Sequence, residues 1–134
     1  MLIAITSEGL DPGSFVAEKF GRTPFIIFYD TDKNTLESLR NPYINSFGGA
    51  GVQTAQFIIG KNAEAVITID IGLGPLRLLN SAEIEVYACR KMSIKEAANE
   101  FVEKKLWIIK QESFKNFVRN EWGGKRRNRN RNSL

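Results

Sequence analysis

Apolar residues in the first half of the chain come in short continuous runs, and in the second half they alternate with helical spacings. Leu2 to Thr6 predicts a buried strand. Ser7 to Ser14 holds two glycines and Asp11-Pro12 and predicts a loop, and Phe15 to Phe20 a short turn closed by Gly21. Phe25 to Tyr29, rich in β-branched and aromatic residues, predicts a second strand. Asp30 to Asn34 has turn chemistry, so Thr35 to Arg40 reads as a returning hairpin strand, although Leu36 and Leu39 also fit a short helix. Val52, Ala55 and Ile59 place a helix over Gly51–Ile59 that stops at Gly60. Ala65 to Ile69 follows as a central strand. Pro75 suits the first position of a helix running to about Ala82, and Glu85–Tyr87 is a short strand. Ser93 and Glu96 form a capping box ahead of Ile94, Ala97, Ala98, Phe101 and Val102, which share one helical face.

From Gly51 onward helices and strands alternate, which implies parallel strands with crossover helices. The strands before that point imply antiparallel pairing. The fold class expected is therefore α/β, a mixed sheet of about five strands flanked by helices. Open sheets of this kind take ligands at the C-terminal ends of their parallel strands. Gly72 and Gly74 lie in a loop at such an end, and the two glycine loops are expected to lie close together. Residues 103–122 hold Leu106, Trp107, Ile108, Ile109, Phe114, Phe117, Val118 and Trp122. That stretch is too apolar for a free tail and fits a helix that packs on the domain or mediates homo-oligomer contacts. Residues 123–132 carry no apolar side chain and read as disordered. The chain thus divides into a domain over 1–105, an apolar extension over 106–122 and a basic tail over 123–134.

The chemistry concentrates at Ser46-Phe47-Gly48-Gly49-Ala50-Gly51, which opens directly into a helix. Unpaired N–H groups and the positive end of the dipole make such a start an anion site, and glycine lets a ligand approach the main chain. Gly48, Gly49, Ala50, Gly51, Gly72 and Gly74 are the candidate binding positions. No Gly-Lys-Ser/Thr follows, and the G-x-G-x-x-G spacing is missing, so neither phosphate fingerprint applies. The plainer alternative is a tight loop that needs glycine only to turn.

Composition narrows the classes further. The 134 residues suit one domain, with 43% hydrophobic and 25% charged residues. One cysteine, Cys89, excludes an intrachain disulfide. No stretch reads as a signal peptide or membrane span, so a cytoplasmic protein is expected. The net charge of +4 is carried by the C-terminal end: residues 111–134 sum to +5 and residues 1–110 to −1. The basic tail lacks interleaved aromatic residues, so nucleic-acid binding is not expected.

The order of Phe20-Gly21-Arg22-Thr23-Pro24 with Phe25 to Asp30, Gly48-Gly49-Ala50-Gly51, Glu64 to Ile67, Gly72-Leu73-Gly74-Pro75 and Ile84 to Tyr87 resembles the dinitrogenase iron–molybdenum cofactor biosynthesis family. The resemblance runs from about Leu2 to Val102. It implies a ribonuclease-H-like motif and a non-enzymatic role: binding or transfer of an iron–sulfur or iron–molybdenum cofactor precursor, with cluster-assembly or acceptor proteins as partners. Members often carry histidine just before Phe-Gly; here that residue is Lys19, and the chain has no histidine. Arg22 is a candidate for an anionic ligand, or else a surface partner of Asp30 or Glu18. Cys89, beside Arg90 and Lys91, is the candidate metal ligand, its thiol expected to be lowered by those cations, or else a buried inert residue. Asp30 and Asp70 both fall at strand ends, where two turn aspartates are expected rather than a two-metal nuclease site. Two other classes use the same features: a binding or regulatory module for a phosphorylated small molecule, and a protein-interaction module using Leu106 to Trp122.

Overall fold

The structure, a computed structural model, describes residues 1–110. Its elements are β1 (Leu2–Ser7), a 3₁₀ turn (Phe20–Arg22), β2 (Phe25–Asp30), β3 (Thr35–Arg40), α1 (Ala50–Gly60), β4 (Ala65–Thr68), α2 (Leu73–Ser81), β5 (Glu85–Ala88), α3 (Ile94–Val102) and β6 (Trp107–Ile109). They build one six-stranded sheet in the order β3-β2-β1-β4-β5-β6. β1 pairs antiparallel with β2 and parallel with β4, β4 pairs parallel with β5, and both edge strands, β3 and β6, are antiparallel to their neighbours. The sheet is mixed, as the alternation predicts.

The inner strands are continuous apolar runs because both of their faces are buried. Ala4, Phe28, Val66 and Val86 face α1 and α2, where Ile58, Leu76 and Leu79 are buried. Ile3, Ile5, Ile27 and Ile67 face α3 and its Ile94 and Ala97. Each fully buried Ile or Leu contributes about 1.5–3 kcal/mol relative to exposure.

Thr35–Arg40 is the returning hairpin strand expected, its backbone completing the ladder of β2 from Phe25↔Arg40 to Asp30↔Thr35. Other expectations change. α2 begins at Leu73, so Pro75 is its third residue, where the missing N–H is still one that no helix carbonyl could accept. The sheet has six strands, not five, and the helix expected from residue 106 is replaced in its described part by β6. Trp107, Ile108 and Ile109 pair with Ala88, Tyr87 and Val86, which satisfies the otherwise open edge of β5. Spacing alone does not separate three adjacent apolar residues of a strand from a helix face. Phe114, Phe117, Val118, Trp122 and the basic tail lie outside the described residues. No helix among the described residues is long and apolar enough to cross a membrane.

Candidate functional site

β1, β4 and β5 end at one rim of the sheet, where β2 begins (Ser7↔Phe25) and β3 finishes (Phe25↔Arg40). The 3₁₀ turn and the starts of all three α-helices sit on the loops of this rim. The start of α3 is closed by the protein itself. Ser93 Oγ accepts from the Glu96 N–H at 3.1 Å, and Glu96 Oε1 accepts from the Ser93 N–H at 2.9 Å. The N–H groups of Ile94 and Lys95 donate to the carbonyls of Ser14 and Pro12. α1 and α2 differ: their caps are Gly49 and Gly72, and neither start has a side-chain cap. Among the described residues no acceptor takes the N–H groups of Ala50, Gly51 and Val52, or of Leu73 and Gly74.

These two open starts lie side by side, as expected for the two glycine loops. A Cβ placed on Gly51 would stand 3.0 Å from Pro75 Cγ, and one on Gly74 3.5 Å from Val52 Cγ2. A Cβ on Gly21 would stand 3.0 Å from the backbone N and Cα of Gly51. Gly51 is thus held between the 3₁₀ turn and α2, and its lack of a side chain is what packing there requires. Gly48 and Gly49 are glycine for a different reason: both have positive φ, 81° and 71°, and open space where a side chain would be. Phe47, just before them, is fully exposed.

Arg22 lies at this site but is partly engaged. Its Nη1 donates to the carbonyls of Ile44 at 2.8 Å and Ser46 at 3.1 Å, tying down the loop that leads into α1. Neither Asp30 nor Glu18 pairs with it; the ion pair on this rim is Lys19–Asp70 at 3.7 Å. Asp30 is at the opposite end of the sheet, paired with Leu2. Its Oδ1 accepts from the N–H groups of Lys33 and Asp32, which hold its carboxyl below the usual range. Asp30 and Asp70 therefore do not converge. No group of three or more His, Cys, Asp or Glu among the described residues is arranged to hold a metal ion.

Cys89 reaches the rim too, with its N–H bonded to the Thr68 carbonyl at 3.1 Å. Its side chain is buried on the α3 face, in the core that contains Met92, Ile94 and Ala98. The lowering expected from Arg90 and Lys91 is reversed: burial, with Glu100 nearby, pushes the thiol up to about 11. A thiol raised in the folded state from 9.0 stabilises fully below the unfolded value, and that contribution is lost as pH climbs through about 11. Melting temperature is expected to fall between pH 9 and 11, and to fall less in Cys89→Ala; equal slopes in the two proteins would assign the loss elsewhere.

The sequence reading missed what lies under the rim. The buried polar residues are Thr6, Ser7, Thr23, Asn41, Thr54 and Thr68. Thr6 and Thr68 share a hydroxyl hydrogen bond of 3.0 Å, and Thr23 Oγ1 accepts from the Ser7 N–H at 2.9 Å. Asn41 Nδ2 donates to the Thr23 carbonyl and to Thr54 Oγ1, and Asn41 Oδ1 accepts from the Tyr43 N–H. This polar layer joins the 3₁₀ turn, the loop before α1 and α1 itself. Polar residues at the ends of apolar runs, such as Thr6 and Thr68, were its signal.

Comparison with known proteins bears on the whole of this domain. A comparison with curated proteins returns no significant match. The apo form of the orange protein from Desulfovibrio gigas has the same fold at 24% identity, with a TM-score of 0.78 over 81% of this chain and 92% of that one. A candidate NifB protein from Thermotoga is 30% identical, with a TM-score of 0.71 over 80% of this chain and 91% of that one. A candidate dinitrogenase from Methanocaldococcus jannaschii shares the fold at 17% identity, with a TM-score of 0.60 over 81% and 94%. The family model described as dinitrogenase iron–molybdenum cofactor matches residues 1–104, and this chain belongs to that family.

Proposed function

We propose that this protein binds and passes on, without catalysing a reaction, an anionic iron–sulfur or iron–molybdenum cofactor precursor at the rim formed by the starts of α1 and α2. The observation that carries the reading is the pair of adjacent helix N-termini that no side chain caps. Their N–H groups and aligned dipoles favour negative charge, and cluster sulfides are acceptors for such donors. The donor set defines the mode of holding. The chain has no histidine, and its one thiol is buried and protonated at neutral pH. The cargo is therefore a substrate that keeps its own sulfur ligands and is held from outside by backbone N–H groups, with Arg22 ordering the loop. Gly48 and Gly49 leave the approach open, and Gly72 and Gly74 do so on the α2 side. Cluster-assembly or acceptor proteins of the cytoplasm are the partners this reading calls for, and Cys89 is not needed for the first contact.

The test is an anaerobic titration with an iron–molybdenum–sulfur cluster, read as charge-transfer absorbance that stays with the protein through gel filtration. Val52→Glu is the informative variant: a carboxylate on the first turn of α1 favours the helix but repels an anion. Retention is expected to drop at least tenfold in Val52→Glu, about 1.4 kcal/mol, and severalfold in Arg22→Ala, and to persist in Cys89→Ala. Loss in Cys89→Ala with full retention in Val52→Glu would move the site to the thiol. Binding of nucleotides in place of the cluster, read by thermal shift, would replace the cargo with a phosphorylated small molecule.

A further inference from the structure

β1 and β4 are parallel neighbours, and the chain leaves them in opposite directions. After β1 it turns toward α3: Phe15 bridges to Ser93, and the Ile94 N–H donates to the Ser14 carbonyl at 2.8 Å. After β4 it turns into α2, which packs on the other face of the sheet. Parallel neighbours whose loops diverge leave a crevice between them, the usual ligand position in open α/β sheets. Here the crevice is a cavity of about 360 Å³, a size typical of small-molecule pockets. Glu8, Phe15, Val16 and Glu18 line it from the β1 side, and Ile69 and Lys91 from beyond β4 and β5. It shares no lining residue with the starts of α1 and α2.

The walls of this cavity are fixed through their backbones. The Glu8 N–H donates to the Phe15 carbonyl, the Val16 N–H to the Met92 carbonyl and the Asp70 N–H to the Glu18 carbonyl, each at 2.9 Å. The charged side chains are uncommitted by contrast. Among the described residues Glu8, Glu18 and Lys91 form no ion pair. The Lys91 ammonium stands over the Phe15 ring instead, 5.0 Å from its centre, and Phe15 itself is 51% exposed. Two carboxylates and one ammonium thus border a single cavity beside apolar Phe15, Val16 and Ile69. Uncommitted charges of both signs suit a ligand that carries both. A bare metal ion would meet the ammonium of Lys91, and a simple anion would meet the two carboxylates.

We infer that this cavity binds a small zwitterion, a free amino acid with an apolar side chain. Glu8 and Glu18 take its ammonium, Lys91 takes its carboxylate, and Phe15, Val16 and Ile69 contact its side chain. The inference does not depend on the cargo. Nitrogen–proton correlation NMR of the full chain tests it, with L-leucine, L-methionine and L-phenylalanine as ligands. At least one is expected to give saturable shifts confined to the amides of residues 8–18, 69–71 and 89–92, with a Kd of about 1 mM, since exposed charge pairs each contribute little. The amine and the acid that each lack one of its charges (3-methylbutylamine and 4-methylpentanoate for leucine) are expected to bind about fivefold more weakly. Glu18→Gln and Lys91→Met, both at exposed positions, are expected to weaken the amino acid about threefold each. Lys91→Met is expected to leave the amine unaffected. No saturable shift with any of the three amino acids overturns the inference, and so do saturable shifts centred elsewhere. Equal binding of the amine or the acid, or unchanged affinity in both variants, overturns it as well.

Discussion

Asn41→Leu is expected to lower stability by about 3 kcal/mol, or roughly 10 °C in melting temperature. Leucine keeps the branched shape and is somewhat larger, so no cavity forms and the loss comes from hydrogen bonding, with some overpacking added. The Asn41 amide lies at 1% exposure and satisfies the Thr23 carbonyl, the Thr54 hydroxyl and the Tyr43 N–H. Removing it strands those partners where water has little access, and each stranded group costs about 1–3 kcal/mol. Thr54→Val deletes one partner only and is expected to cost less, and the double variant to cost less than the sum, because the two residues share a bond. Urea denaturation with an unchanged m-value checks this. A loss below about 0.5 kcal/mol would mean that the layer relaxes or takes in water. The same substitution frees the loop before α1, so cluster retention is expected to fall with it.

Gly21→Val is expected to cost about 2 kcal/mol and to abolish cluster retention, a drop of more than tenfold. A Cβ at this position already stands 3.0 Å from the backbone of Gly51, and that backbone is the first turn of α1, not the end of a flexible side chain. Two further methyl groups therefore displace the helix start or the 3₁₀ turn. Either movement separates α1 from α2, since Gly51 is also against Pro75. Gly60→Ala is the control, at a helix end with open space around it, where alanine is expected to be neutral or mildly stabilising. Denaturation midpoints give the first number and anaerobic gel filtration the second. Normal retention in a folded Gly21→Val protein would show that the spacing of the two starts does not matter for binding.

The mixed sheet was legible because β1, β2 and β4 are buried on both faces and so appear as uninterrupted apolar runs. α3 was legible from Ser93, Glu96 and a five-residue apolar face. β6 was not, because Trp107 to Ile109 is too short to show a period, and its state is decided by the open edge of β5 rather than by its own residues. At the rim, Gly48 and Gly49 could be recognised as glycines of a ligand loop or of a turn, and their positive φ shows that the turn requires them. Gly51 read in sequence as one more glycine of that loop and Gly21 as the close of a turn, yet both serve close packing between elements thirty residues apart.

Local order in the chain therefore specified the alternation of elements and the two glycine-opened helices, since these depend on neighbouring residues and on period. Folding specified everything that depends on distant residues meeting. It turned Arg22 onto the Ile44 and Ser46 carbonyls, placed Cys89 in the α3-side core with a raised pKa, and put Asp30 and Asp70 at opposite ends of the sheet. Charge and acidity at a side chain are set by what is packed within a few ångströms of it, and a linear order of residues does not contain that.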